Sequence, residues 1–394
     1  MERIKRSERQ PSTTRVFSVI VLAQFCGTSL WFAGNAVVLS LANPHWPDGS
    51  AGHLTTAVQL GFISGTLVVT LIGLADRISP SKLFLLSTIG GALANLILLV
   101  NVEAFHLAFT SRFLTGIFLG GIYPVGMKIA ADWREHGLGD WLGSLVGALV
   151  LGTALPHALR GFDTLQHPTH LLPAISMIAL TGGLLLWYLV PDGPFQKRSA
   201  RFSFRHLASA LRSPKFRSPL FGYFGHMWEL YTFWAFVPWI LRRYMAAHTD
   251  ISMSLPLLSF LTIAIGGVGC WLGGKISLST GSNIVARAAL LISGLCCIAS
   301  PFLWNTHELV FVTFLLIWGL TVCADSPQFS ALIAANAPAE TRGTALTFAT
   351  CAGFAITTVS IQTILSLENI IPSDFLLWAL VPGPLFGLLS TRKG

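Results

Sequence analysis

Charge is what this sequence has least of. Of its 394 residues, 11% are Asp, Glu, Lys or Arg, against 53% hydrophobic, and the mean hydropathy is +0.66. Soluble domains carry roughly 25% charged residues, so a solvated globular domain is excluded. Apolar runs of roughly twenty residues recur from end to end, which makes the chain an all-α polytopic membrane protein. The alternating short strands of a membrane barrel are missing. There is no Walker A sequence, so ATP is not the direct driver, and no H-E-x-x-H or comparable catalytic constellation, so the chain does not read as a membrane enzyme. The six cysteines, Cys26, Cys270, Cys296, Cys297, Cys323 and Cys351, all fall in apolar runs. None has zinc-site or disulfide-framework spacing, and no metal or cofactor is expected. No cleavable signal is expected, since Arg3, Lys5, Arg6, Arg9 and Arg15 lead into an apolar run too long for a signal h-region.

The little charge present is unevenly placed. Net charge is +8, but its distribution points to topology, not to nucleic acid. Twelve spans are expected, at 15–42, 51–75, 82–101, 105–131, 139–161, 170–190, 217–241, 252–273, 283–303, 307–335, 341–366 and 370–389. With the N-terminus inside, twenty of the 25 Lys and Arg fall on the inner side, seven of them in the central loop from Lys197 to Arg217. Three, Arg160, Arg242 and Arg243, fall outside, and Arg112 and Lys128 lie within spans. This positive-inside bias puts both termini in the cytoplasm of a cell (inner) membrane, with some attraction to anionic lipid.

The central loop divides the chain into an N-terminal six-helix half (1–191), a basic linker (192–216) with room for a short surface helix, and a C-terminal six-helix half (217–394). The halves look like repeats. Gly116-x7-Pro124 in span 4 returns as Gly319-x7-Pro327 in span 10, Gly73 as Gly273, and Gly139 as Gly343, all at offsets of 200 to 204. Two six-span halves are a known repeat pattern of secondary transporters, with the site between them near the midplane.

These features resemble the major facilitator superfamily over essentially the whole chain. The loop after span 2, GLADRISPSKL, is similar to the family's Gly-x3-Asp-Arg/Lys-x-Gly-Arg-Lys/Arg signature and supplies Asp76, Arg77 and Lys82. It departs in that Gly73 stands three residues before Asp76, not four, and Ser79 replaces the second glycine. Arg112 and Gly116 meet the span 4 signature. The second-half copy, GGKISLSTGSNIVAR, keeps its glycines and Arg287 but not the acid. The resemblance implies a twelve-helix transporter working by alternating access, Asp76 and Arg77 acting in the gate by joining helix ends. Gly143, Gly147 and Gly152 with Pro156 echo the span 5 motif of the family's exporters, without its closing glycines; close helix packing explains them equally.

Candidate site residues are the polar groups that apolar spans rarely tolerate. Glu229, about a dozen residues into span 7, and Asp325 in span 10 are candidate proton carriers, because burial disfavours a bare carboxylate. Each has a plainer reading as a hydrogen-bonded packing residue, and Asp325 can serve the backbone freed by Pro327. His226 lies three residues before Glu229 on the same helix face, making a proton-labile pair with it or else a packing histidine, and Tyr231 and Trp234 add an aromatic surface that could bind the substrate. Arg112 is expected either to bind an anionic solute group through bidentate contacts or to pair with Glu229 or a polar residue of span 1. Lys128 is expected to snorkel to the cytoplasmic surface. Asn35, Gln59 and Gln362 are candidate substrate contacts, and equally interhelical ties. Eight histidines, His45, His53, His106, His157, His167, His170, His248 and His307, fall near the outer side. They suggest an alternative as a metal or metal-chelate transporter, though none is spaced as a ligand motif. The expectation is a monomeric, proton-coupled carrier of a small organic solute; a non-transporting sensor on the same fold is the alternative of another class.

Overall fold

The computed structural model describes residues 12–38, 46–134, 138–196, 204–248, 254–338 and 342–392, all helix and connecting loop. Arg3, Lys5, Arg6, Arg9, His45, Lys197, Arg198, Arg201 and Lys393 lie outside the described residues. The spans are span 1 (Thr13–Thr28 and Ala33–Val38), span 2 (Ser50–Ile72), span 3 (Pro80–Leu96), span 4 (Phe105–Leu119 and Tyr123–Trp133), span 5 (Leu138–Arg160) and span 6 (Pro168–Leu189). After the short helix Phe204–Arg212 come span 7 (Pro214–Ala247), span 8 (Leu255–Thr280), span 9 (Ser282–Ala299), span 10 (Glu308–Ala324 and Ser326–Asn336), span 11 (Arg342–Leu367) and span 12 (Ser373–Leu380 and Pro382–Ser390). Ten of these are long and apolar enough to cross a membrane. Span 1 is shorter, and span 7 is 34 residues long but carries more charge.

Two boundaries differ from the sequence reading. Span 8 continues to Thr280, because nothing between Gly273 and Gly281 breaks it; Gly281, at φ 87°, ends it. Arg242 and Arg243 lie in the last turns of span 7, not in a loop. Arg243 contacts Asp374 and lies over the Trp304 ring, 4.9 Å from its centroid.

Spans 1, 4 and 10 are broken, each for a local reason. In span 1 the Thr28 hydroxyl donates to Gln24 O (2.8 Å) and the Ser29 hydroxyl to Cys26 O (2.6 Å). Such back-bonding competes with helix propagation, and the chain turns through residues 29–32 before Ala33. Span 4 stops at Gly120-Gly121-Ile122 and restarts beside Pro124, and span 10 stops at Asp325 and restarts beside Pro327. A proline cannot donate to the preceding turn.

Glycine lets the helices cross closely. A Cβ at Gly61 would overlap the Phe113 carbonyl, and one at Gly116 the Val58 carbonyl, where spans 2 and 4 meet. In the second half a Cβ at Gly319 would overlap the Thr262 carbonyl, where spans 8 and 10 meet. Thr262 stands 204 residues after Val58 and Gly319 stands 203 after Gly116, so the same backbone contact recurs at the repeat offset. The first six spans and the last six meet along span 5 against span 8 and span 11 against span 2. The short helix Phe204–Arg212 lies against spans 7 and 11, with Leu207 and Ala210 buried and Arg212 exposed, as a surface helix should.

Candidate functional site

The break in span 1 presents Trp31 to the middle of the molecule, where it meets side chains from both sets of six. Trp31 packs on Phe62 of span 2 (ring centroids 4.9 Å apart), Tyr231 of span 7 (5.6 Å) and Phe354 of span 11 (5.4 Å). Tyr231 also meets Trp234 (5.0 Å) and Phe354 (4.9 Å). All five rings are buried. On the side of the termini this aromatic layer roofs a cavity of about 30 Å³, walled by Tyr123, Val150, Tyr223, Met227, Tyr231 and Phe354 among others. That is room for about one water. On the opposite side lies a vestibule of about 170 Å³ lined by Asn35, Ser50, Trp239, Arg242 and Glu368. Gln362 of span 11 closes the seam there, its amide Nε2 donating to Thr56 Oγ1 of span 2 at 2.9 Å.

Arg112 does not reach the cavity wall. Its Nη1 donates to Asn95 Oδ1 (2.9 Å), and its Nη2 to the carbonyls of Leu30 and Trp31 (2.5 and 3.1 Å). These carbonyls belong to the break in span 1, so Arg112 satisfies the backbone that the break exposes and sets the height of Trp31. Gly34 makes the room: a Cβ there would sit 2.6 Å from Arg112 Cδ. Pairing with Glu229 is not what the structure has. Arg112 is 1% exposed, no carboxylate forms an ion pair with it among the described residues, and its Nε has no partner.

Glu229 and His226 share a helix face in sequence but part company in space. Glu229 turns toward spans 9 and 10, where it accepts from Trp318 Nε1 (2.6 Å), Ser293 Oγ (2.9 Å) and Cys297 Sγ (3.2 Å). His226 turns to the break in span 10, and its Nδ1 stands 2.8 Å from Asp325 Oδ1. That is an ion-pair distance, but the approach is too bent for a hydrogen bond, and both side chains are essentially unexposed. His226 Nε2 and Asp325 Oδ2 have no other partner. The neighbouring Cys323 and Ser326 line the central cavity, so the pair stands just behind its wall.

The other candidates scatter. Asn35 donates to Thr55 Oγ1 (2.7 Å) and Ala51 O (3.2 Å), tying span 1 to span 2 at the vestibule. Gln59 is fully buried with neither amide atom partnered. Asp76 pairs with Lys128 (3.4 Å), which also reaches Asp132 (3.6 Å), so Lys128 bridges spans 2 and 4 at their ends on the side of the termini instead of snorkelling alone. The Phe195 amide adds a bond to Asp132 O (3.0 Å), and Ser79 Oγ to Asp192 (2.6 Å). Arg77 is exposed and takes no part. Among the histidines expected near the outer side, His167 and His307 cap helices, accepting from Thr169 N and Leu309 N, while His157 is buried beside Phe32. Among the described residues, no three His, Cys, Asp or Glu side chains gather as a metal site would require.

Sequence reasoning missed Trp31, Phe354, Tyr123, Tyr223, Asn95 and Trp318. Asn95 carried a usable signal, a side-chain amide within an apolar span. The aromatic residues carried none, since an aromatic in a membrane helix is ordinary.

The model for the Major Facilitator Superfamily matches residues 17–360. The chain belongs to that superfamily. Among solved structures it is similar to the human organic anion transporter MFSD10 (TETRAN), at 17% identity and TM-score 0.70, covering 97% of this chain and 99% of that one. It is also similar to the E. coli fucose:proton symporter FucP, at 15% identity and TM-score 0.67, again covering 97% and 99%. No curated protein matches. The chain is thus an integral, multi-pass protein with the superfamily's twelve-helix transporter fold.

Proposed function

We propose that this protein moves a small organic solute across the cell membrane by alternating access, coupled to protons, with both termini in the cytoplasm. The two six-helix halves, 1–191 and 217–394 about the linker 192–216, would rock across the aromatic seam, admitting solute first on one side of Trp31 and Tyr231 and then on the other. The observation that carries the reading is the buried contact between His226 and Asp325 beside the central cavity. A His and an Asp in contact, shielded from water and lodged at a helix break, form a group that can exchange a proton when the break moves. Glu229, held by three donors, takes the part of a packing anchor, and Arg112 that of a support for the seam. Gln59, Tyr231 and Trp234 remain solute contacts, and Asn35 and Gln362 belong to the outer closure. Asp76 with Lys128 braces the inner ends of spans 2 and 4.

The test is flux in proteoliposomes carrying an internal pH dye, with pools of small solutes, for wild type, Asp325→Asn and Glu229→Gln. Solute-dependent proton movement in wild type and Glu229→Gln, lost in Asp325→Asn, supports the assignment. Proton movement lost only in Glu229→Gln moves the carrier to Glu229. Solute flux with no proton movement in wild type refutes coupling, and ligand binding without any flux supports a sensor.

A further inference from the structure

An apolar groove of about 500 Å³ runs up the outside of the molecule between spans 1, 5 and 8, on the side of the termini. Its walls include Phe17, Val21 and Phe25 of span 1, Gly147 and Leu151 of span 5, and Trp271 of span 8. Glycine makes the space: Gly147 and Gly267 face each other across the seam so closely that a Cβ on either would come within 3.4 and 3.2 Å of the other's carbonyl oxygen. From Phe17 to Phe25 is eight helical steps, about 12 Å of length, most of a leaflet's hydrocarbon depth of about 15 Å.

One end of this groove is chemically distinct. Phe17 stacks on Trp141 with ring centroids 4.3 Å apart, and the Arg134 guanidinium lies over the same indole at 5.3 Å. Lys275 Nζ lies 5.9 Å from the ring of Trp271, and Arg15 stands exposed two residues before Phe17. Tryptophan rings with cations beside them mark the head-group level of a bilayer. Here they sit at the mouth of a slot shaped for a chain.

We propose that this groove seats one acyl chain of an anionic phospholipid from the leaflet on the side of the termini, its phosphate facing Arg15, Arg134 and Lys275. Spans 1 and 5 belong to the first six and span 8 to the second, so the lipid touches both. It binds best when those spans stand as they do here, and thereby favours this arrangement over others.

The test is native mass spectrometry of the full chain in detergent, exchanged against phosphatidylglycerol or phosphatidylcholine, and it requires no knowledge of the solute. Wild type should retain one phosphatidylglycerol in preference to phosphatidylcholine by about tenfold or more. Val21→Trp, which fills the groove, should abolish retention of that lipid, and Ser18→Phe, at an exposed groove position, should do the same without touching the core. Arg15→Gln with Arg134→Gln and Lys275→Gln should bring the two lipids to parity while one is still retained. No head-group preference in wild type, or a preference that survives either the filling or the charge variants, overturns the site. Such a result would leave the transport reading untouched, as lost proton flux would leave this one.

Discussion

Breaking the contact between His226 and Asp325 one side at a time should cost more than the contact is worth. At 2.8 Å and an effective dielectric of about 20, two full charges attract by about 6 kcal/mol. Burying each ion costs several kcal/mol, so the pair comes out near balance. Removing one member cancels the attraction and leaves the other stranded. His226→Phe orphans a carboxylate and Asp325→Leu orphans an imidazole, each in a place with no exposure to water. Each should cost about 2–3 kcal/mol. The double variant, with nothing left stranded, should cost about as much as either single one, giving a coupling energy of about 2–3 kcal/mol. SDS or guanidinium unfolding of the purified protein in micelles measures all four corners of the cycle. If the double loss equals the sum of the singles to within about 0.5 kcal/mol, the side chains do not interact and the proton proposal loses its basis. Should Asp325→Leu fail to fold, Asp325→Asn with His226→Gln provides a milder cycle with the same sign.

Gly116→Val and Gly319→Val should each destabilise by about 1–3 kcal/mol through overpacking, whereas Gly274→Ala, with no atom within 4 Å of the new Cβ, should gain about 0.5–1 kcal/mol; thermal unfolding showing equal losses at all three would contradict the crossing geometry. Thr56→Cys with Gln362→Cys should oxidise to a disulfide that halts solute flux until reductant is added, because Gln362 and Thr56 touch across the seam; flux undiminished in the oxidised protein would mean that spans 2 and 11 need not separate. Asp76→Asn should change stability by about 1 kcal/mol, since the pair is only partly exposed and Lys128 keeps Asp132 as a second partner, yet slow solute exchange severalfold in proteoliposomes, while Arg77→Ala leaves both unchanged. Trp318→Phe removes the shortest bond to Glu229 and should cost about 1–3 kcal/mol of stability while leaving the solute's apparent affinity as it was.

Much of the fold was legible, because membrane solubility constrains sequence strongly. Length and hydropathy placed the spans, and Gly-Pro spacing marked the breaks in spans 4 and 10. The break in span 1 carried no such mark: it rests on two hydroxyls, Thr28 and Ser29, whose preference for bonding the turn behind them is too common to stand out. The site was legible only as a set of residue types. Sequence showed that Glu229, His226, Asp325 and Arg112 were costly where they stood, but not which neighbour met each cost. His226 and Glu229 illustrate the limit. An i, i+3 spacing places two side chains within reach of each other, yet a helix packed on several sides can send one toward span 10's break and the other toward span 9. Only tertiary contacts decide between those directions.

Arg112 and Glu229, both buried outside the His226–Asp325 pair, sit at matching corners of the first six spans and the last six. In the first half Arg112 of span 4 binds spans 1 and 3; in the second, Glu229 of span 7 binds spans 9 and 10. Asn95, the partner in span 3, falls at the repeat offset on residues 295–299, which include Glu229's partner Cys297. The same corner is therefore tied in both halves. The charges themselves are not repeated: at that offset Arg112 falls on the apolar stretch from Val312 to Leu316, with Thr313 the sole polar member, and Glu229 on Phe25 to Ser29. Each charge is met by neutral groups, carbonyls and an amide for the cation, and an indole, a hydroxyl and a thiol for the anion. Neutral partners on neighbouring helices of one half could not be exchanged for partners in the other if the halves moved as proposed, so these knots would hold each bundle rigid. The fully buried acid–base contact of His226 with Asp325 is placed differently, at a helix break beside the seam, where motion of the halves would change its surroundings. Such a division of labour accounts for an acid at mid-membrane that need not carry protons, and for a second, at the break, that is free to do so.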